Sequence, residues 1–416
     1  MPMLLAPLFA RVFRHGDLTL IDALGRTHRF AGPELPGIPP VAIRLHDRSL
    51  HWRLPLYPSL MAGEAYMDGT LTVERGSLFD FLSLAAENIA RHDRRNPSAV
   101  PLWRLTRLVQ QYNPVARSQR NAAHHYDLSD DLYAHFLDGD RQYSCAYFAR
   151  PGMSLEEAQE AKKLHIAAKL LLAPGRKVLD IGSGWGGLAL TLARHFGVEV
   201  LGITLSREQL ESARRKAAAA GLDDRVRFEL ADYRQIGGQF DRIVSVGMFE
   251  HVGVNHYRRF FERIRDMLAP DGVALVHAIG RSEGPGYTNP WIRKHIFPGG
   301  YSPALSEVVP SVERAGLWIT DIEILRLHYA DTLAEWRRRF QARREDVARA
   351  AGERFCRMWE FYLAGAETAF RHEGHMVFQM QLAKDIRAVP LTRDYMAEAE
   401  RMLAAAHEGM AAGCAD

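Results

Sequence analysis

Residues Lys177 to Leu192 read K-V-L-D-I-G-S-G-W-G-G-L-A-L-T-L, an apolar run that enters a glycine turn and leaves it as a helix. Val178, Leu179 and Ile181 suit a strand buried on both faces, and Leu188, Leu192 and the alanines suit a helix packed back on the sheet. Gly182, Gly184, Gly186 and Gly187 let the backbone turn tightly and let a ligand come close to it. A nucleotide phosphate loop looks similar, but no Gly-Lys-Ser/Thr follows, which excludes a Walker loop. Asp180 closes the strand, where a carboxylate helps to position a cationic ligand. Those two details favour S-adenosylmethionine as the ligand of the turn.

Composition narrows the alternatives. A chain of 416 residues allows two or three domains. Its 47% apolar and 25% charged residues are those of an ordinary globular protein with a large core. The formal charge of +3 is too small for a strong nucleic-acid field. Gly247-Met248-Phe249-Glu250 also stands where a nucleic-acid methyltransferase would carry Asn/Asp-Pro-Pro-Tyr/Phe. Cys145, Cys356 and Cys414 show neither metal-ligand pairing nor a disulfide framework, which fits a reducing cytosol. Glu250-His251 is not part of H-E-x-x-H and the histidines are scattered, so no metal is expected. Met1 to Ala10 is too brief for a signal peptide, and no apolar run reaches the roughly 20 residues of a membrane span.

The elements that must hold these residues follow from periodicity. After the glycine turn, Val198–Ile203, Val226–Leu230, Phe240–Val246 and Val273–Ile279 alternate with helical stretches such as Arg207–Ala220. That rhythm predicts an α/β fold with a doubly wound, mostly parallel sheet, its ligand beyond the carboxyl ends of the strands. Glu156–Leu172 predicts an amphipathic helix before the turn, Thr332–Arg371 a largely helical region, and His375–Leu382 a last alternating strand. Residues 1–90 predict a smaller α+β domain with strands near Leu18–Asp22 and Val41–Leu45 and a helix from Leu78 to Ala90. Positioning, lipid handling and dimerisation are all open to it. Residues 91–120 form a basic linker, either a solvated helix face or a surface for anionic lipid headgroups. The catalytic domain is expected over 121–390, and 391–416 as a helical tail. Ser282 to Leu305, with Trp291, Phe297 and Tyr301, is expected to cover an apolar substrate.

Taken together, Gly63-Glu64-Ala65-Tyr66-Met67-Asp68-Gly69, Tyr126-Asp127-Leu128, Tyr143-Ser144-Cys145-Ala146-Tyr147, the glycine turn, Gly202-Ile203-Thr204-Leu205-Ser206, Phe249-Glu250-His251-Val252-Gly253, His277-Ala278-Ile279-Gly280 and His328-Tyr329 resemble the cyclopropane-fatty-acyl-phospholipid synthase family. The resemblance implies a fold like that of class I methyltransferases and S-adenosylmethionine as cofactor. It assigns the turn Gly182–Gly187 to the methionine and ribose side, Thr204 and Gln209 to the usual place of an acidic ribose ligand, and Asp232 and Tyr233 to the adenine. Tyr126 and Ser144 match residues that close over the methionine end.

The same resemblance implies the chemistry. An alkene attacks the sulfonium methyl, and the cation left behind loses a proton from that methyl to close a three-membered ring. A bicarbonate ion is implied as the base, cradled by Cys145, Glu250, His277, Ile279 and Tyr329. Relatives often carry a cysteine in the helix that here reads Leu363-Ala364-Gly365-Ala366-Glu367, so a cysteine nucleophile is excluded there. The substrate implied is an unsaturated phospholipid acyl chain, reached by a cytoplasmic enzyme docking peripherally on the membrane surface, as a monomer or a homodimer. Two rival outcomes remain: a methyl- or methylene-branched product, and a non-catalytic lipid-binding protein.

Overall fold

The computed structural model describes residues 5–93 and 130–402. Tyr126 and nearly all of the basic linker lie outside the described residues. The chain divides into two compact units whose boundaries differ from those expected from sequence. One unit joins the N-terminal stretch to Tyr287–Pro298 and Ala330–His375; the other holds most of the remainder.

In the first unit, β1 (Asp17–Ile21), β2 (Thr27–Ala31), β3 (Val41–Leu45) and β4 (Leu71–Arg75) form a mixed sheet in the order β2-β1-β3-β4. Strand β2 is half exposed and polar, which is why its sequence gave no strand signal. Leu18, Leu20, Val41, Ile43 and Leu45 point into one core with Leu50, Leu54 and Leu84. The later helices join this unit because the stretch Gly63 to Asp68 is built to receive them. A Cβ at Gly63 would lie 2.5 Å from the Trp291 ring. Trp291 Nε1 donates to the Met67 sulfur at 3.2 Å. Glu64 accepts from Lys294 at 2.5 Å, and the Tyr66 hydroxyl donates to Glu360 at 3.1 Å. Arg354 pairs with Asp68 at 2.8 Å.

These contacts correct the expected substrate cover. Trp291 is buried against Gly63 and Phe361 inside the first unit. Phe297 packs edge-on against Tyr362. Tyr301 belongs to the core of the second unit, where its hydroxyl donates to Glu307 at 2.7 Å. These three aromatics are spent on packing, since each finds a complementary surface within its own unit.

The second unit is a seven-stranded sheet: β5 (Lys177–Ile181), β6 (Glu199–Thr204), β7 (Val226–Leu230), β8 (Phe240–Val246), β9 (Leu268–Arg281), β10 (Trp318–Ile324) and β11 (His375–Ala383). Their order is β10-β11-β9-β8-β5-β6-β7. Strands β5 to β9 pair in parallel, and β10 with β11 antiparallel. Alternate side chains serve opposite faces. Val178, Val200, Val244 and Leu275 meet the helices Leu155–Leu170, Gly187–Phe196 and Arg207–Ala219. Leu179, Ile181, Ile203 and Val276 meet the helices Tyr257–Met267 and Leu305–Ala315 on the other side. Each such apolar side chain, fully buried, contributes roughly 1.5–3 kcal/mol. The chain runs outward from β5 to β7, then resumes on the opposite side of β5 with β8, so a crevice opens where the winding reverses.

Candidate active site

The carboxyl ends of β5, β6, β7 and β8 supply Ile181-Gly182, Ile203-Thr204, Ala231-Asp232 and Val246-Gly247 to one cavity. Ser144, Asp180, Gly182, Gly184, Thr204, Gln209, Asp232 and Tyr233, all expected from sequence, line it. The turn is pinned by Gly182 and Ser183, whose N–H groups both donate to the Ile203 carbonyl at 2.9 Å. At Gly184 φ is +55°, and a Cβ there would meet nothing within 4 Å among the described residues. Gly186 and Gly187 were expected at the cofactor but do not line the cavity. A Cβ on Gly186 would come within 2.7 Å of Phe228, and one on Gly187 within 2.0 Å of an Asp140 carboxylate oxygen. Their small size serves the packing under the turn.

The other expected cofactor residues are held by local bonds. Thr204 Oγ1 donates to Gln209 Oε1 at 2.9 Å, and Ser206 caps the following helix through the Gln209 N–H. Asp232 accepts from Arg234 Nε at 2.8 Å and is buried. The Tyr233 ring packs edge-on against Phe260.

Lys162 is the residue sequence reasoning missed. It comes from the helix Leu155–Leu170, whose polar face is buried: Gln159, Lys162, Lys163, His165 and Lys169 are all nearly inaccessible. Lys162 Nζ donates to Gln142 Oε1 at 2.6 Å and to Ser144 Oγ at 2.9 Å. Burial pushes it down to about 8, against the pull of Asp138. Burial also pushes Asp180 up to about 7, with Lys162 opposing. Asp180 Oδ2 finds no hydrogen-bond partner among the described residues. A buried carboxylate oxygen left in this state at a strand end fits a polar or cationic ligand. Arg141, Tyr143, Trp185, Met248 and His251 also line the cavity.

None of the five residues expected to cradle an anion lines this cavity. Glu250 Oε1 accepts the Ile279 N–H at 2.7 Å, and its Oε2 is buried with no partner among the described residues. Ile279 was expected to lend a backbone group to the cage; its N–H is instead committed to holding Glu250. Burial raises Glu250 to about 7, the Ile279 bond opposing. His277 precedes Ile279 by two on β9, is buried, and faces the Gln379 amide at 3.1 Å. Burial, with the charges of Lys162 and Lys169, holds it well below its ordinary range and therefore neutral. Cys145 is buried, its thiol donating to the Ala146 carbonyl at 3.3 Å. The neighbouring Tyr147 stacks on His328, the residue before the buried Tyr329. Glu250 is thus joined directly to Ile279, two residues from His277 on β9, and the Cys145 segment is brought to the start of the helix His328–Ala342, beside Tyr329. Among the described residues no group of His, Cys, Asp and Glu is arranged to hold a metal. Nor is any described helix long and apolar enough to cross a membrane.

Comparison with known proteins identifies the family. Residues 114–380 match the profile of the mycolic acid cyclopropane synthetase family. Cyclopropane-fatty-acyl-phospholipid synthase of Escherichia coli is 37% identical over 358 residues, 86% of this chain and 91% of that protein. Tuberculostearic acid methyltransferase UfaA1 of Mycobacterium tuberculosis is 35% identical over 400 residues, 91% of this chain and 90% of its own. The solved cyclopropane synthase MmaA2 of Mycobacterium tuberculosis superposes with a TM-score of 0.62 at 35% identity, covering 65% of this chain and 99% of its own. The mycolic acid cyclopropane synthase CmaA1, solved in complex with SAH and CTAB, gives 0.61 at 34% identity, with 66% and 99% covered. With its parallel sheet, its glycine turn and this similarity over most of its length, the chain belongs to the mycolic acid cyclopropane synthetase family and is a methyltransferase enzyme.

Proposed function

We propose that the protein transfers a methylene group from S-adenosylmethionine to the cis double bond of unsaturated phospholipid acyl chains, forming a cyclopropane ring, with bicarbonate as the base. The observation that carries this reading is Glu250: one carboxylate oxygen is fixed by Ile279, and the other is buried without a partner among the described residues. When bound, S-adenosylmethionine supplies an electrophilic methyl and bicarbonate supplies a proton acceptor. Gly182, Gly184, Asp180, Thr204, Gln209, Asp232 and Tyr233 hold the cofactor, and Lys162 fixes Ser144 at its methionine end. Tyr126, outside the described residues, is assigned to the same end. Glu250 Oε2 accepts the hydroxyl of the anion, so the oxygen that takes the proton stays free. His277 and Tyr329 donate to the anion, and Cys145 closes the cage. The burial of these groups excludes water that would trap a cationic substrate.

The substrate's double bond lies within a bilayer, so the enzyme docks on the inner membrane surface from the cytoplasm and draws a chain out. Arg104 and Arg107 of the linker are candidates for headgroup contact, and the N-terminal unit for lipid positioning or dimerisation. A second reading keeps the cofactor and the cradle but ends in a methyl-branched chain; the similarity to a tuberculostearic acid methyltransferase favours keeping it. Incubation with methyl-labelled S-adenosylmethionine and vesicles of unsaturated phospholipid, followed by mass spectrometry of the released fatty acids, separates the two. A cyclopropane product whose formation falls in bicarbonate-depleted buffer supports the first reading. A methyl-branched product supports the second, and no label in lipid overturns both.

A further inference from the structure

Strand β11 reads H-M-V-F-Q-M-Q-L-A, and its alternation has an unusual consequence. Phe378, Met380 and Leu382 enter the apolar core on one face. Gln379 and Gln381, on the other, are as deeply buried as the hydrophobes. They meet the polar face of the helix Leu155–Leu170, and the result is a hydrogen-bonded layer beside His277.

In that layer each group's role is fixed by its chemistry. A lysine ammonium only donates, and Lys169 Nζ stands 2.6 Å from Gln379 Oε1. The carbonyl end of the Gln379 amide must therefore face Lys169, which turns its NH2 toward Nδ1 of His277 at 3.1 Å. An amide nitrogen cannot accept a hydrogen bond. Nδ1 must then offer its lone pair, and a neutral ring carries its one proton on Nε2, the far edge. Lys169 is held in turn by Glu323, which also accepts from His165 at 2.7 Å. Gln381 donates to the Lys169 carbonyl at 2.5 Å and to the Tyr395 hydroxyl at 2.7 Å. The His165 ring also bonds Glu400 and stacks on Tyr147.

We propose that Gln379, clamped by Lys169, is a positioning residue that fixes His277 as its Nε2–H tautomer and so presents a neutral N–H donor to the anion cradle. This rests on the reading of His277 as a cradle residue. Were Gln379 only a filler of the core, an apolar side chain would serve, as it does at 378, 380 and 382. A polar one is needed here because Lys169 requires an acceptor and His277 requires a donor. Buried hydrogen-bonded layers of this kind set orientation because leaving one member unpaired in the interior is costly.

The test uses the full-length protein labelled with 15N-histidine, the His277 signals being assigned by loss in His277→Asn. The wild type should show Nε2 protonated and Nδ1 bare from about pH 6 to 8. Gln379→Glu is isosteric and replaces the donor with an acceptor, so the proton should move to Nδ1 or the ring should become cationic. Its kcat should fall roughly 10- to 100-fold, as for loss of an orienting partner. The half-saturating bicarbonate concentration should rise, and S-adenosylmethionine affinity should stay unchanged. Gln379→Met, which removes both interactions, should give a mixture of tautomers and an intermediate loss. A wild-type ring protonated on Nδ1, or a Gln379→Glu protein with unaltered signals and rate, overturns the positioning role. A wild-type rate indifferent to bicarbonate, with the tautomer as stated, overturns the cradle instead and removes the anion that this donor would serve.

Discussion

Glu250 Oε1 lies 2.7 Å from the backbone nitrogen of Ile279, while the Oε2 of the same carboxylate is buried without a partner among the described residues. One oxygen therefore fixes the side chain and the other is left for a ligand. Glu250→Gln can keep the Ile279 bond through its amide oxygen but turns an NH2 donor toward the ligand. Turnover should fall by roughly 10²-fold or more, as for loss of a preorganised electrostatic group. Cofactor affinity measured by calorimetry should change little. An enzyme indifferent to this change would remove Glu250 from the chemistry.

The same carboxyl gives a pH signature. Burial holds it at about 7 in the folded state, above its ordinary 4.5. If only the carboxylate orients the anion, kcat at fixed bicarbonate concentration should climb as pH passes through about 7 and then level off, and Glu250→Gln should be flat there. Stability runs the other way. A raised folded-state pKa means that the native state holds the proton more tightly than the unfolded chain. The wild type should therefore lose stability relative to Glu250→Gln as pH rises from 4.5 to about 7. Denaturant midpoints across that range check it, and parallel curves for the two proteins would contradict it.

At the glycine turn, a Cβ on Gly184 would meet no described residue within 4 Å, whereas Gly186 and Gly187 are closed in by Phe228 and Asp140. A side chain at 184 thus leaves the described protein packing undisturbed and projects where the cavity lies. Gly184→Val should abolish S-adenosylmethionine binding in a titration, with a small loss of stability from its φ of +55°. Undiminished affinity would take this turn out of the site.

How much of this was legible follows from what periodicity reports. The parallel sheet was readable because β5, β6 and β8 are short apolar runs buried on both faces, and the glycine turn marks where they end. The cradle was readable only through the family resemblance. Glu250 and Ile279 lie 29 residues apart on different elements, and nothing local joins them. The buried polar layer was not legible at all. An amphipathic helix with Lys162, His165 and Lys169 on its polar face looks the same whether that face meets solvent or a row of glutamines. The alternation of β11 likewise gives no hint that Gln379 and Gln381 are inside. Trp291 misled for a similar reason: an aromatic in a long glycine- and proline-rich segment suggests a cover, and its partner Gly63 is far away in sequence.

That partnership sets opposing effects against each other. Gly63 sits inside the helix Pro58–Met67, so alanine there should gain about 1 kcal/mol in helix propensity. Its Cβ would also stand 2.5 Å from the Trp291 ring, and overpacking of that kind costs roughly 1–3 kcal/mol. Gly63→Ala should therefore be neutral to destabilising alone, and stabilising once Trp291→Leu has made room. A double-mutant cycle by thermal unfolding reads the coupling directly. Additive effects would mean that the close approach carries no strain.

Lys162 joins stability to cofactor binding. Its ammonium holds Gln142 at 2.6 Å and Ser144 at 2.9 Å, beside the buried Asp180. Lys162→Met should loosen both and weaken S-adenosylmethionine binding about tenfold, the loss of about one hydrogen bond. Its pKa falls from 10.5 in the free side chain to about 8 in the fold, because burial disfavours the charge. Between those values the unfolded chain binds the extra proton and the native state does not, so wild-type stability rises with pH. Below about 8 the wild type carries the full cost of the buried charge. Relative to Lys162→Met it should gain on the order of 3 kcal/mol as pH rises from about 8 to 10.5. Denaturant titrations of both proteins at several pH values measure this difference. A difference that stays constant with pH would mean that the ammonium is solvated in the fold, and its bonds to Ser144 and Gln142 would then lose their claim to shape the pocket.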